Sequence, residues 1–408
     1  MSRSDGLSQW TAIVSTQLPH LSRPQATVLA LWSYGMVVAQ SCGITTVAAL
    51  LACLLHKKPD AVRQQLREWC YAAEDKTGGK RRAVEVHSCF GPLVRWVLAW
   101  WAPGERQLVL AMDATTLGQR FTVLVISVVY RGCAIPVAWR VVGATTKGAW
   151  RPHWEALFTH LQDSVPADWT VLVLADRGLY ARWLYRHISA LGWHPFLRIN
   201  QQGQCRPLDE PSFRSLSTIV PRIGTRWSGP VDCFASPGSR LRCTLVACWD
   251  APHADPWLIL TDLPPTVADV AWYSWRTWIE CGFRSTKRGG WQWHQTKMTD
   301  PERASRLWLA IAVATLWVVS VGGEADATLP ASSLEELPVL HVARRRARRA
   351  ARPRLLRCFR RGVLTILAAL LQGDPLPLGR FLPEPWPCSP PSTALLPPLL
   401  CLPLGHAA

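Results

Sequence analysis

Apolar positions in the first hundred residues recur at helical spacing. Pro24 to Gln40 makes one such stretch, Thr45 or Thr46 can cap a second running to Leu55, and a third starts near Pro59-Asp60 with Val62, Leu66 and Trp69 on one side. From Gln107 the period shortens. Gln107 to Met112, Phe121 to Tyr130 and Ala134 to Val142 read as three consecutive strands rich in Val and Ile. A helix over 150–163, a strand at Thr170 to Ala175, a helix over Leu179 to Leu191 and a strand near Pro195 to Ile199 follow. Three strands followed by alternating helices and strands predict an α/β fold with a mixed five-stranded sheet and flanking helices. Residues 200–263 break the pattern with Pro, Gly, Ser and Arg around short runs such as Leu241 to Cys248 and Trp257 to Thr261, which suits a β-rich insertion. Helical patterns resume beyond it, ending in the apolar stretch Pro301 to Val321.

Five segments follow from these shifts: a helical N-terminal part (1–104), a first sheet part (105–199), the insertion (200–263), a second helical part (264–325), and an Arg-rich, then Pro-rich C-terminal part (326–408). Arg344 to Arg361 holds ten arginines, which suit phosphate or a solvated basic helix, and residues 374–405 should be disordered or loosely docked. Thr27 to Leu55 carries no charge, but Gln40 and Ser41-Cys42-Gly43 interrupt it, and Leu307 to Val321 is shorter than the roughly 20 residues a spanning helix needs. Both read as buried helices, so a soluble chain without a membrane partner is expected.

Composition adds a partner. Forty-five Lys and Arg against 28 Asp and Glu give a net charge of +17, the footprint of a protein that meets a polyanion, most often nucleic acid. Thirteen cysteines contain no C-x-x-C pair, and no secretory signal opens the chain, so buried thiols in a reducing cytoplasm are expected rather than zinc or disulfides. The basic third helix gives the N-terminal part the outline of a helix-turn-helix, with a plain bundle as the alternative.

Candidate chemistry centres on carboxylates. Asp113 and Asp176 close apolar strands, where open α/β sheets place their sites. Tyr273, Arg276, Glu280 and Lys287, spaced by three, four and seven, share a stripe if the segment is one α-helix. Acid oxygens suit Mg²⁺ rather than zinc, and two such ions can activate water or a 3′-hydroxyl in phosphoryl transfer. Arg276 and Lys287 would then hold phosphate oxygens, and Tyr273 a phosphate or a base. Hydroxyl and basic neighbours (Thr115, Thr116, Arg177, Arg284) stand beside the acids. Trp291 and Trp293 fall in a loop within reach of DNA, whereas Trp96, Trp100, Trp101, Trp272, Trp275 and Trp278 read as core and interface aromatics.

These residues carry a resemblance. The run Tyr273, Arg276, Glu280, Lys287 matches at every position the Y-x2-R-x3-E-x6-K signature of bacterial insertion-sequence transposases of the DDE class. Leu108 to Thr116 resembles that family's strand-ending Asp followed by a hydroxyl residue, and Asp176-Arg-Gly-Leu-Tyr180 is similar to its second-acid motif. The resemblance spans roughly residues 105–320. It implies a ribonuclease H-like catalytic core, with Asp113, Asp176 and Glu280 as catalytic metal ligands for Mg²⁺ or Mn²⁺, two ions in all. It implies DNA contacts by Tyr273, Arg276, Arg284, Lys287 and Arg177. It further implies cutting of terminal inverted repeats in double-stranded DNA through a hairpin, joining of 3′-hydroxyls to target DNA, and a homodimer at the bacterial nucleoid. Trp257 sits in the context of the family tryptophan that stabilises a flipped base, with a core tryptophan as its plain alternative. An inactive or domesticated DNA-binding copy is the alternative reading. A two-carboxylate glycosidase or a basic RNA-binding protein leaves the charge or the acids unexplained.

Overall fold

The computed structural model describes residues 3–77, 82–146, 148–251, 253–327 and 356–389. The chain opens with helices α1 (Arg3–Gln17), α2 (Arg23–Ala39), α3 (Ile44–Leu55) and α4 (Pro59–Trp69), and α5 (Phe90–Ala99) leads into the sheet. Val62, Leu66 and Trp69 are buried on one face of α4, as their spacing predicts. The cap of α3 is Gly43 rather than Thr45 or Thr46; its amide is tied to the Ser41 hydroxyl at 3.1 Å. Sequence spacing did not isolate α1, yet Trp10 and Val14, four apart, are fully buried, and Trp10 stacks on Trp317 at 4.3 Å.

Strands β1 (Gln107–Leu117), β2 (Phe121–Tyr130) and β3 (Cys133–Gly143) form an antiparallel meander. After helix α6 (Arg151–Leu161), β4 (Thr170–Ala175) pairs parallel to β1; after α7 (Arg182–Ala190), β5 (His194–Arg198) pairs parallel to β4. The order β3-β2-β1-β4-β5 is the ribonuclease H-like arrangement. The insertion supplies β6 (Gln204–Pro207), β7 (Arg214–Ser215), β8 (Arg226–Cys233), β9 (Leu241–Cys248) and β10 (Trp257–Thr261). It is no appendage to the five strands. β10 pairs antiparallel with β5 through Ile259↔Arg198 and Leu260↔Leu197, so one ten-stranded sheet runs on to β7. That pairing satisfies backbone groups that β5 would otherwise leave open at an edge.

Strand alternation sends the two faces of this sheet into two cores. Leu108, Leu110, Met112, Val171 and Val173 join the main core. Val109, Ala111, Leu172 and Leu174 join a second core together with Tyr273, Trp275 and Ile279. The main core is centred on α9 (Pro301–Ala327), whose apolar window is wholly buried inside the fold although it is long and apolar enough to cross a membrane. Helix α10 (Cys358–Gln372) crosses α9 where both present glycine: a methyl at Gly322 would strike the Cys358 carbonyl, and one at Gly362 the Val318 carbonyl.

Proline and leucine after α10 do not leave the chain loose as far as Ser389. Leu376 and Phe381 are buried, Phe381 bridges Trp101 as an isolated strand pair, and the Leu382 amide donates to the Tyr130 hydroxyl at 2.8 Å. Apolar side chains between the prolines dock it. The arginine block splits likewise: Arg361 pairs with buried Asp326 and Arg360 binds Gln40, while the arginines from Arg344 to Arg354 lie outside the described residues.

Backbone contact at the α9–α10 crossing leaves no side chain to yield, so Gly362→Ala should lower stability by about 1–3 kcal/mol. Gly238→Ala, with nothing within 4 Å of the added methyl, should leave it unchanged. Denaturant unfolding of both variants reads the difference; equal stabilities would refute the close approach.

Candidate active site

Strand parity aims the acids. Asp113 lies two residues beyond Ala111, and Asp176 two beyond Leu174, so both carboxylates face the second core. The parallel register ends at Met112↔Ala175, which makes Asp113 and Asp176 the next neighbours across the β1–β4 pair. Asp113 does not close its strand as the apolar run predicts. β1 continues to Leu117 against β2, and Asp113 sits where the partner strand β4 stops. Each carboxylate is oriented by a neighbouring backbone amide, Ala114 to Asp113 at 2.8 Å and Arg177 to Asp176 at 2.7 Å.

The segment over them is not one α-helix. Val270–Thr277 is a 3₁₀ helix, which passes into α8 (Trp278–Thr286) with Lys287 at its C-cap. A 3₁₀ helix has about three residues per turn, so side chains three apart eclipse. Trp272, Trp275 and Trp278 are spaced by three, and so are Tyr273 and Arg276. The first set packs ring against ring: Trp275 lies tilted 5.3 Å from Trp278, and Trp386 of the C-terminal segment meets Trp272 edge-on at 4.5 Å and Trp275 edge-on at 5.6 Å. The second set points to the acids. Asp269 caps the 3₁₀ helix through the Ala271 amide at 2.8 Å, and also accepts from the Ser389 amide at 2.6 Å and from the Ser389 hydroxyl. Gly282 seats α8 on β3, where a methyl would fall 2.8 Å from the Ala134 Cβ.

Arg276 is the centre. Its guanidinium lies 2.7 Å from Asp113 Oδ2, 3.6 Å from Asp176 Oδ2 and 2.6 Å from Glu280 Oε1, with the arginine side chain only 11% exposed. The three acids expected from the sequence are thus together, but around an arginine expected to hold phosphate. Burial raises the Asp113 carboxyl above its usual range; Arg276 opposes this, and the other two acids add to it. Burial works against the charge of Arg276, yet the surrounding acids, Asp113 foremost, hold its pKa above the ordinary value.

The remaining residues divide. Tyr273 is buried, which pushes its phenol pKa up, and its hydroxyl donates to Asp176 Oδ1 and to the Ala175 carbonyl, each at 3.4 Å. It supports Asp176 and, being buried, has no face to offer a base. Trp257 is half-buried and packs edge-on against Tyr273 at 5.1 Å, with His253 over it at 4.2 Å, which puts it beside the acids. Arg177 is exposed and pairs with Asp255 at 3.2 Å. Lys287, its pKa lowered by burial, has no ion pair among the described residues, and Arg284 lies half-buried one turn before it. Trp291 and Trp293, expected in a loop open to DNA, are fully buried; Trp291 donates to Thr315 at 2.9 Å. Arg198 escaped sequence reasoning. It ends β5, and its guanidinium lies 3.9 Å from Asp176, a position analogous to the strand-end acids. The one available signal was a charge closing an apolar strand.

A divalent ion of the magnesium type takes carboxylate oxygens. Asp113, Asp176 and Glu280 fit in kind: acids only, from three elements, gathered on one positive group. Among the described residues they do not close into a metal-sized shell by themselves, because the guanidinium spans them.

Residues 106–317 match the family model described as a transposase DDE domain. No curated protein matches the chain. Among solved structures, the cryo-EM structure of the piggyBac transposase synaptic complex with hairpin DNA aligns at a TM-score of 0.37 and 13% identity, covering 76% of this chain and 72% of that one, a likeness too slight to carry an inference.

Removing Arg276 would leave Asp113 and Glu280 without their counter-charge, with Arg198 still beside Asp176. Arg276→Ala should lower stability by about 1–3 kcal/mol near neutral pH. Millimolar Mn²⁺ should then raise its melting temperature more than that of wild type. Equal shifts in the two proteins would show that the acids do not share one cation position.

Proposed function

The chain belongs to the transposases that carry a DDE domain, and on that premise we propose that it cuts the ends of an insertion sequence and joins the freed 3′-hydroxyls to target DNA. The observation that carries this reading is the convergence of Asp113, Asp176 and Glu280, from β1, β4 and α8, on one guanidinium. Asp113, Asp176 and Glu280 would hold the Mg²⁺ or Mn²⁺ ions, two in the full reaction. Such ions supply a deprotonated attacking oxygen and stabilise the leaving one in an in-line displacement.

The chain's own residues do the rest. Tyr273 and the Arg177 amide both donate to Asp176 Oδ1 and fix that carboxylate, while the Ala114 amide holds Asp113 Oδ1 in place. Arg276 offsets the repulsion among the acids and, once they are balanced otherwise, has a fork for non-bridging phosphate oxygens. Lys287 at the end of α8 and Arg284 before it extend that positive edge, and Arg177 and Arg198 flank the far side near Asp176. Trp257, half-buried against Tyr273, would stack on a base turned out of the duplex during hairpin formation. We propose in addition that two copies pair two ends as a homodimer, and that the protein works on the nucleoid of a bacterial cytoplasm. The net charge of +17 supports a DNA partner.

The test uses duplexes ending in the inverted repeats that flank the gene, with Mg²⁺. Wild type should nick and then release ends that run as closed hairpins on a denaturing gel. Asp113→Asn, Asp176→Asn and Glu280→Gln should each slow cleavage by at least about 10³-fold while the duplex is still bound. Cleavage surviving any of these changes would remove that acid from the site. Binding without cleavage by wild type would instead mark an inactive copy.

A further inference from the structure

A second basic site lies away from the acids, in a cleft between the N-terminal helices and the loop that follows α8. Its volume is about 560 Å³, far more than a single water needs. Arg63 and Arg67, four apart on α4, face it from one wall, and Lys297 and Arg303 from the other. Among the described residues no Asp or Glu lines it. Arg303 is paired with Asp75 at 3.0 Å, but Arg63, Arg67 and Lys297 are exposed and have no hydrogen bond or ion pair among the described residues. Like charges held together without acids repel one another, which a fold tolerates most readily where an anion is to sit between them.

The floor of the cleft adds donors. It contains the first turn of α3, where Gly43 offers no capping side chain and Thr45 and Thr46 expose their hydroxyls. The first amides of a twelve-residue helix therefore open into the same space as the cations. The Cys42 amide joins the two walls by donating to the Trp291 carbonyl at 2.7 Å, and Arg120, from the β1–β2 turn, holds the second wall through the Thr296 and Met298 carbonyls. The cleft is a rigid groove rather than a meeting of loose side chains.

We propose that this cleft grips the sugar–phosphate backbone of double-stranded DNA, independently of sequence, and so ties the N-terminal helices and the signature segment to one duplex. The assignment rests on the transposase reading above. It is read by equilibrium binding of a duplex of arbitrary sequence, without divalent metal, at several salt concentrations. Neutralising a cation that meets a backbone phosphate lowers the slope of log K against log salt by about one.

The combined change Arg63→Gln, Arg67→Gln, Lys297→Gln should reduce that slope by about two to three and weaken binding about tenfold or more near 0.1 M salt. All three side chains are exposed, so the melting temperature should not move. Arg63→Lys, Arg67→Lys, Lys297→Arg should keep the wild-type slope. Neutralising Arg106, Arg151 and Arg186 removes as much charge elsewhere and should change the slope less. If both triple neutralisations act alike, or neither acts while wild type binds, the cleft is not a DNA site although the transposase reading stands. If wild type binds no duplex at all, both fail. Thermal stabilisation by inorganic phosphate that only the cleft variant loses, with unchanged DNA slopes, would reassign the cleft to a small phosphate ligand.

Discussion

Two carboxylates on adjacent parallel strands, one position past the end of their pairing, repel each other in a half-buried place, and a cation between them offsets that repulsion. Asp113 and Asp176 are put in that position by the β1–β4 register, and Glu280 is brought to them by α8. Such a site calls for positive charge among the acids. Arg276 supplies it to all three acids, four residues before Glu280 and three after the tyrosine that supports Asp176, and Arg198 adds to it at Asp176. One guanidinium thus ties together three segments far apart in sequence.

Holding Arg276 there requires an unusual backbone. Eight residues wound as 3₁₀ helix align Tyr273 with Arg276 on one edge and the tryptophans on another. A short helix of this kind has poor hydrogen-bond geometry and is stabilised from outside. Asp269 caps its start, and Trp386 and Ser389 close over its outer side, so the C-terminal segment is part of the support of the acids. On the opposite face of the sheet, α9 and α10 meet through glycines, and α9 packs on β3 in the core that also takes the inward residues of β1 and β4. The segment least like structure in composition, rich in proline, is structural through its aromatics.

Much of this was legible in the residues. Alternation and apolar runs marked β2, β4, β9 and β10 at the ends they have, because buried strands with clear turn residues leave little freedom. The three acids and their strand or helix context were legible because ionisable residues at the edge of apolar runs need a reason. What could not be read has common physical causes. Spacings of three and four fit an α-helix as well as a 3₁₀ helix followed by one, so the partner expected for Arg276 was phosphate, where the fold supplies carboxylates. Edge pairing between β5 and β10 is non-local and has no periodic sign, so the insertion looked separate. Trp291 and Trp293 stood among Gly, Gln and His and read as a loop, whereas tertiary packing buries both. Arg198 differs from any surface arginine only in three dimensions.

Locating the metal on the polypeptide tests the central claim most directly. Fe²⁺ bound in place of Mg²⁺ generates hydroxyl radicals with ascorbate and peroxide, which cut the backbone beside the ion. Fragments ending near Asp113, Asp176 and Glu280, suppressed by excess Mg²⁺ and absent in Glu280→Gln, are the predicted result. Cutting confined to other segments, or a wild-type pattern unchanged by Glu280→Gln, would contradict it.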